Sequence, residues 1–285
     1  MRKVLAVSGG VDSMVMLDLM RKKYPAEELV VATFDHGTRE SSGQDADFVS
    51  QICSALQLKV YRGEAHLGAG VSEESARMKR YAFLHEIADE ESGEIYTAHH
   101  LDDLVESIAI NLTRGTGFRG LAVLNMPGTK RPFLDGTFEK LFDKHDILEY
   151  AAKNGVVFRQ DPTNTSDDYL RNRLRPKAAR LTREAKEQLY QLWQEQVRIT
   201  HEIDDTNQCL IPEDLKFERA WFKNIDGTVA LEILRAGLLK AGVSATLPQI
   251  YDFLKAIREY GSGKKFNLPN DRLVRIGRRD FTLEI

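Results

Sequence analysis

A glycine-containing turn near the start of the chain has the residue types needed to hold phosphate. The apolar stretch Val4–Val7 runs into a Ser-Gly-Gly turn, and Asp12 and Ser13 then open an apolar-periodic helix. Glycines carry no Cβ atom and accept φ > 0, so consecutive N–H groups can converge on an anion. The helix start adds unpaired N–H donors and the positive end of its dipole. The sequence therefore predicts a phosphate-binding turn made of Ser8, Gly9, Gly10, Val11, Asp12 and Ser13.

Alternative interpretations of this turn are limited. No lysine follows the glycines, so the Walker A spacing G-x-x-x-x-G-K-S/T is absent, and G-x-G-x-x-G is absent as well. A dinucleotide-binding fold or a kinase-type loop is therefore disfavoured. An ordinary strand-to-helix turn with Asp12 or Ser13 as the helix cap remains the plain alternative.

A second polar cluster follows another apolar stretch. His99, His100, Asp102 and Asp103 lie where a strand should end and a helix begin. Because Mg²⁺ prefers one or two carboxylates together with phosphate oxygens and water, Asp102 or Asp103 is a candidate metal ligand. The histidines could bind phosphate or act as acid or base. Asp102 as a simple helix cap is the alternative, and zinc binding is disfavoured because adjacent strand residues point opposite ways.

Basic residues occur in two further places. Arg77 and Arg80 have the i, i+3 spacing that places them on one helix face, where they could grip phosphate or pair with Glu73 or Glu74. The segment from Arg159 to Lys186 contains eight Lys or Arg against four Asp or Glu. This local excess suits phosphate contacts, whereas a solvated helix surface is the alternative.

The pattern of elements predicts an α/β fold. Short apolar runs alternate with helical patterns up to about Asn111, which indicates an open parallel sheet flanked by helices, with ligands beyond the carboxyl ends of its strands. A helix is expected from about Asp143 to Asn154, ended by Gly155, and a long one from about Pro176 to Asp204. We expect a catalytic domain over residues 1–200, including this helical extension, and a smaller α+β domain over 201–285. The strands predicted are Val4–Val7, Leu29–Phe34, Leu58–Tyr61, Ile95–Ala98, Lys265–Leu268, Arg272–Ile276 and Phe281–Glu284, and the other helices are Asp12–Lys23, Gly43–Leu56, Glu74–Glu90, Asp102–Thr113, Ala230–Ala241 and Leu247–Glu259.

Composition narrows the class of protein. The chain has 285 residues, 42% of them hydrophobic, with a net charge of −3, so nucleic-acid binding through bulk positive charge is excluded but local patches are not. No apolar run is long enough for a membrane span or a signal-peptide core, and we expect a cytoplasmic protein that does not bind membranes. The two cysteines, Cys53 and Cys209, form no C-x-x-C pair, so no disulfide framework or cysteine metal site is expected.

Seven segments together resemble the tRNA(Ile)-lysidine synthetase family of N-type ATP pyrophosphatases, which use PP-loop, Rossmann-like domains. In chain order they are SGGVDS at Ser8–Ser13, FDHGTRE at Phe34–Glu40, SARMKRY at Ser75–Tyr81, TAHHLDDLVE at Thr97–Glu106, NLTRGTGFRGL at Asn111–Leu121, RPFL at Arg131–Leu134 and DPTNTSDDYLRNRLR at Asp161–Arg175. The chain departs from the family pattern at Thr33, Asp35 and Leu104. The segment Gly263–Pro269 resembles the family's central tRNA-contacting domain.

The resemblance implies a reaction and its substrates. Such an enzyme joins L-lysine to C2 of the wobble cytidine of an isoleucine tRNA with a CAU anticodon, using ATP and Mg²⁺ and releasing AMP and pyrophosphate. The Ser8–Ser13 turn would hold the β- and γ-phosphates, Asp102 or Asp103 the metal, and Arg77 and Arg80 the charged intermediate. The group that deprotonates the lysine amine is open among Asp35, His36 and His99.

The same resemblance assigns substrate contacts. Arg114 and the segment Asp167–Arg175 would bind tRNA or ATP, through Tyr169, Arg171, Asn172, Arg173 and Arg175, with Tyr169 stacking on a base. A homodimer is possible. Another PP-loop adenylating enzyme, either a tRNA thiolase or an amide-forming synthetase, is the main alternative, and a non-catalytic RNA-binding protein is a further one.

Overall fold

A computed structural model describes residues 1–35, 42–65, 73–159, 170–269 and 272–283 of the chain. Contacts divide the chain into two compact units, Met1–Val197 and Arg198–Ile285. This division lies close to the domain boundary predicted at residue 200. Among the described residues, no helix combines the length and the apolar character that a membrane span requires.

The first unit contains a five-stranded parallel sheet, as predicted. Its strands are β1 (Arg2–Ala6), β2 (Leu29–Asp35), β3 (Lys59–Glu64), β4 (Gly93–Tyr96) and β5 (Thr129–Lys130), in the order β3-β2-β1-β4-β5. The chain runs outward from β1 to β3 on one side and then returns to add β4 and β5 on the other side. Loops therefore diverge above β1 and β4, and this is where open α/β sheets bind ligands.

Helices cover both faces of this sheet. Described residues belong to α1 (Val11–Lys23), α2 (Ser42–Ala55), α3 (Glu73–Glu90), α4 (Leu101–Thr113), α5 (Lys144–Asn154), α6 (Leu170–Ala178) and α7 (Arg183–Leu210). Alternate residues of the central strands face opposite ways, so Leu5 and Val31 pack with α1, α2 and α5, whereas Val4 and Val30 pack with α3. Burial on both faces explains why these strands are apolar without interruption.

The predicted long helix from Pro176 to Asp204 is two helices. Pro176 lies inside α6, which ends at Ala178, and a new helix begins at Arg183. The intervening residues form a tight turn in which the Arg180 and Leu181 N–H groups bond to carbonyls three residues back. The hydroxyl of Thr182 then accepts the N–H of Ala185, which gives α7 a side-chain cap.

The second unit is a small α+β domain, as predicted. Its four-stranded antiparallel sheet has the order β6-β9-β8-β7, with β6 (Lys216–Glu218), β7 (Lys264–Leu268), β8 (Arg272–Ile276) and β9 (Asp280–Thr282). It also contains α8 (Arg219–Asn224), α9 (Gly227–Lys240) and α10 (Leu247–Glu259). Phe222, Phe253 and Phe281 are buried in its core.

Sequence analysis missed β5, β6 and α8. These elements are two, three and six residues long and are too short to show periodicity.

A substitution at Gly93 tests how tightly β1 and β4 pack. A Cβ atom at Gly93 would lie 2.7 Å from the carbonyl oxygen of Arg2, a backbone atom that cannot move aside. Gly93→Ala should therefore destabilise the first unit by about 1–3 kcal/mol, measured by urea unfolding. Gly117→Ala is the control, because a Cβ atom there meets nothing within 4 Å. Equal stability of the two variants would contradict this packing.

Candidate active site

The predicted phosphate-binding turn connects β1 to α1. Gly9 has φ = +84°, the left-handed conformation that side chains disfavour, and Gly10 precedes the first residue of α1. Within the described part of the chain, no side chain caps this helix start. The Ser13 hydroxyl holds the turn together, because it donates to the Gly10 carbonyl (2.9 Å) and accepts the Ser8 N–H (3.1 Å). The first amides of α1 are thus left for a ligand.

A cavity of about 330 Å³ opens beside this turn, at the carboxyl ends of β1, β2 and β4. Its apolar wall consists of Ala6, Ala32, Phe34 and Leu84. Seven predicted site residues line its polar part: Ser8, Gly10, Asp12, Ser13, Arg80, His99 and Asp103. An apolar wall next to convergent polar groups is the usual character of a small-molecule site.

The other predicted site residues lie elsewhere or outside the described residues. Gly9 and Val11 belong to the turn but do not line the cavity, and Asp35 is the last residue of β2. His36 and Tyr169 lie outside the described residues, as do the side chains of Glu73, Glu74, Arg171 and Asn172. The alternative pairing of Arg77 and Arg80 with the two glutamates is therefore untested.

The start of α4 is capped by His100 and Asp103. The His100 Nδ1 atom accepts the Asp102 N–H, and the Asp103 carboxylate accepts the His100 N–H at 3.0 Å. This reciprocal arrangement is a capping box. The plain alternative that Asp102 caps the helix does not hold, and the box fixes Asp103 at the cavity wall.

Asp102 does not fit the role of metal ligand. It is buried on the side of α4 away from the cavity lining, where its Oδ1 atom lies 2.7 Å from Lys186 Nζ. Its Oδ2 atom accepts the backbone N–H of Lys144 at 2.8 Å. Burial opposes ionisation, but His100, Lys186 and this N–H together hold the pKa of Asp102 well below its usual range. Both oxygens are already used, so of the two predicted carboxylates Asp103 is the one that faces the cavity.

The pKa values of the two histidines are shifted in opposite directions. Burial, together with the guanidinium groups of Arg131, Arg80 and Arg77, lowers the pKa of His99 to about 4 even though Asp103 opposes the shift. Burial also acts to lower the pKa of His100, but the carboxylates of Asp103, Asp102 and Asp12 outweigh it and raise that pKa. His99 is therefore neutral at pH 7, and the His100 imidazole lies among three carboxylates.

Lys144 is a site residue that sequence analysis missed. Its Nζ atom lies 2.6 Å from Asp12 Oδ1, although the two residues are 132 positions apart in the chain. Lys144 is the first residue of α5, and Asp143, which caps that helix, precedes it. A lysine next to a helix cap has no sequence signal for function, because only the folded chain brings it to the phosphate-binding turn.

Three guanidinium groups act electrostatically on His99. Arg77 and Arg80 are three residues apart in α3, and their guanidinium carbons lie 5.4 and 5.7 Å from the centre of the Tyr81 ring. Arg131, in the RPFL segment, is 7% exposed and donates from Nη1 to the Thr129 carbonyl. Its Nε and Nη2 atoms, and the Tyr81 hydroxyl, have no hydrogen-bond partner in the part of the chain that the structure describes. Burial lowers the pKa of Arg131.

The basic segment Arg159–Lys186 offers less free charge than its composition indicates. Arg159 pairs with Asp45 at 2.6 Å and Arg175 with the buried Glu106 at 3.2 Å. Arg183 pairs with Asp146, and Lys186 with Asp102. Arg173 is exposed on α6, and Arg114 is exposed directly after α4. Four of the eight basic side chains of this segment are therefore engaged in ion pairs, whereas Arg173, Lys177 and Arg180 are exposed.

Comparison with known proteins places the chain in a family. Residues 1–182 match the model of the PP-loop domain, and the chain belongs to that family. It therefore contains the nucleotide-binding domain of the ATP-using PP-loop proteins, as the resemblance implied.

Particular relatives refine this placement. The chain is 38% identical over 180 residues to tRNA(Ile)-lysidine synthase of Enterococcus faecalis, covering 60% of this chain and 38% of the relative. It is 35% identical over 209 residues to tRNA(Ile)-lysidine synthase of Thermotoga maritima, covering 70% and 49%. The chain thus spans less than half the length of these relatives. The U34-tRNA thiolase NcsA of Methanococcus maripaludis has a similar fold, with a TM-score of 0.55 and 18% identity over 70% of this chain and 72% of that one.

The charge state of His99 can be measured directly. In a histidine NMR titration, its ring should stay neutral as the pH falls and protonate with a midpoint near 4, because nearby cations destabilise the imidazolium. Arg80→Gln should raise this midpoint, since one of those cations is removed. His99→Gln identifies the signal. A wild-type midpoint near the ordinary value of 6.5 would contradict the described environment.

Proposed function

We propose that this protein is a tRNA(Ile)-lysidine synthase, which joins L-lysine to C2 of the wobble cytidine of the isoleucine tRNA with a CAU anticodon. The observation that carries the proposal is an intact SGGVDS turn beside a cavity, in a chain 35–38% identical to tRNA(Ile)-lysidine synthases over 60–70% of its length. The reaction would take place in the cytoplasm and release AMP and pyrophosphate. A homodimer remains a prediction.

The cavity has an apolar part and a polar part, as an ATP-binding site requires. The apolar wall of Ala6, Ala32, Phe34 and Leu84 suits an adenine base, and the amides at the start of α1 suit the β- and γ-phosphates. This arrangement would leave the α-phosphorus facing the acceptor base. Attack at that atom transfers AMP, and this transfer is required because the cytidine C2 oxygen is a poor leaving group.

The carboxylates at the cavity fit a magnesium ion. Asp12 and Asp103 both line the cavity, and their oxygens lie 3.7 and 3.4 Å from the same His100 Nε2 atom. Two neighbouring carboxylates with phosphate oxygens and water satisfy the preference of Mg²⁺. We assign Asp103, with Asp12 beside it, to hold the ion, which would neutralise phosphate charge when bound.

The arginines at and near the cavity wall suit the charged intermediate, and further residues suit lysine and tRNA. Arg80 at the cavity wall and Arg77 beside it would stabilise the negatively charged intermediate. Neutral His99 can accept a hydrogen bond from the attacking lysine amine, but its low pKa makes it a weak base. The group that deprotonates the amine, whose ordinary pKa is about 10.4, is proposed to be Asp35, His36 or His99. Arg114, Arg173 and the segment that includes Tyr169 are proposed to contact tRNA.

The alternative PP-loop chemistries find less support in the chain. Its two cysteines are Cys53 and Cys209, and burial raises the pKa of the Cys53 thiol to about 11, which suits a core residue rather than a sulfur carrier. Amide synthesis leaves the segment Asp161–Arg175 without a role. A protein that only binds RNA would not need the carboxylate pair Asp12 and Asp103 at a phosphate-binding turn.

Incubation with ATP, Mg²⁺, labelled lysine and bulk bacterial tRNA tests the function. Lysine should enter tRNA with one AMP released per lysine. Asp12→Asn or Asp103→Asn should lower both rates about 100-fold, because the Mg²⁺ ion that these carboxylates would hold no longer stabilises the charge on the phosphates. Asp47→Asn is the control, since Asp47 pairs with Arg62 on the surface and does not line the cavity. Release of ADP, or wild-type activity in Asp12→Asn, would overturn the proposal.

A further inference from the structure

Lys186 lies beyond the matched PP-loop domain, which ends at residue 182, yet it reaches the candidate active site. It belongs to the second turn of α7 and is 6% exposed. Its Nζ atom lies 2.7 Å from Asp102 Oδ1 and 3.3 Å from Asp143 Oδ2. A lysine is rarely buried this deeply unless its charge is paired, so these two contacts account for its position.

The two carboxylates that Lys186 joins belong to two different helix starts. Asp102 is in the first turn of α4, and Asp143 caps α5, where it accepts the Asp146 N–H. Asp102 also accepts the Lys144 N–H at 2.8 Å, so it contacts both helices. Lys186 therefore neutralises the carboxylates that hold the starts of α4 and α5 together.

Each helix start presents one nitrogen-bearing side chain to Asp12 of the phosphate-binding turn. Lys144, at the start of α5, places Nζ 2.6 Å from Asp12 Oδ1, and His100, at the start of α4, places Nε2 3.7 Å from the same atom. His100 Nδ1 lies 3.6 Å from Asp102 Oδ2. The contacts thus run without interruption from Lys186 through Asp102 to the two side chains that face Asp12.

We propose that Lys186 is a positioning residue of the nucleotide site, which fixes Lys144 and His100 against the phosphate-binding turn by neutralising Asp102 and Asp143. It touches neither the cavity nor a substrate. The proposal rests on the ATP-binding part of the proposed function and is independent of the tRNA and lysine that follow.

Loss of this charge should weaken ATP binding through two effects. Asp102 and Asp143 would lose the cation that they share. A buried carboxylate without its cation is strongly destabilising, so the surrounding side chains would rearrange to compensate its charge. Asp102 already contacts the backbone N–H of Lys144 and lies 3.6 Å from His100 Nδ1, so a shift of Asp102 would move both residues relative to Asp12. The added negative charge would also repel a triphosphate.

Arg183 provides a matched control on the same helix. It pairs with Asp146 and Glu187, donates to the Leu141 carbonyl, and lies 3.7 Å from Asp143, but it makes no contact with Asp102. Arg183→Met therefore also removes a cation that fastens α7 to α5. If the Lys186 variant lost ATP affinity only because α7 was loosened, the Arg183 variant would lose affinity to a similar extent.

The experiment measures ATP affinity by calorimetry in Mg²⁺ and the thermal midpoint for each variant of the full chain. Lys186→Met should weaken ATP binding at least tenfold, whereas Arg183→Met should lower the midpoint comparably but change the affinity less than twofold. Lys186→Met combined with Asp102→Asn should bind ATP within about threefold of wild type, because a neutral amide needs no cation. If Lys186→Met does not fold, Lys186→Gln takes its place with the same expected loss.

The outcomes that would contradict the positioning role differ from those that would contradict the proposed function. Wild-type affinity in the Lys186 variant, or equal loss of affinity in the Arg183 variant, would overturn the positioning role. If the wild-type chain binds no ATP, this proposal and the proposed function fail together. If it binds ATP and the variants behave as expected but no lysidine forms, only the proposed function fails.

Discussion

Charge neutralisation at the starts of α1, α4 and α5 is the constraint on which the candidate site depends. Each of these helices begins with acidic residues, which the helix dipole favours: Asp12, the pair Asp102 and Asp103, and Asp143. The three helix starts meet where a polyphosphate is expected to bind, so the acidic side chains would repel the ligand unless cations reached them. Lys144 and Lys186 supply those cations from within the protein, and the His100 imidazole lies close to Asp12 as well.

The need for a cation between Asp102 and Asp143 explains why the first half of α7 packs against the starts of α4 and α5. Lys186 carries the charge, and the surrounding contacts hold the helix in place. The Tyr190 hydroxyl donates to the Leu134 carbonyl and the Trp193 Nε1 donates to the Val123 carbonyl, while both rings pack beside Leu104. Apolar burial of this kind supplies binding strength between elements, and the buried ion pair adds a defined geometry. A helix outside the matched domain thereby becomes part of the environment of the nucleotide.

The sequence predicts those parts of the site that arise from local patterns. The turn Ser8–Ser13 and the cluster at His99 follow directly from residue type and position after an apolar strand, and the periodicity of the flanking helices predicts the order of the elements. Asp102 and Asp103 are adjacent carboxylates that sequence cannot separate, because their roles depend on which side of α4 each faces. Lys144 carries no local signal, because its partner Asp12 lies 132 positions away. Arg131 and Lys186 belong to segments that the sequence singles out, but their contacts depend on burial and on partners distant in the chain.

The distribution of charge around the cavity bears on the choice among PP-loop chemistries, which a shared fold cannot decide. Groups of both signs act on neutral His99, because Arg131, Arg80 and Arg77 lower its pKa and Asp103 raises it. Arg80, Asp103 and Asp12 also line the cavity. Asp12 and Asp103 are assigned to Mg²⁺, so Arg80 is the charged side chain at the cavity wall that remains for the nucleophile. An amino acid can offer Arg80 a partner of opposite charge, because it carries a carboxylate. Ammonia, or a sulfur donor without a carboxylate, offers no such partner. The electrostatics of the site thus favour the proposed lysine over the nucleophiles used in thiolation or amide synthesis.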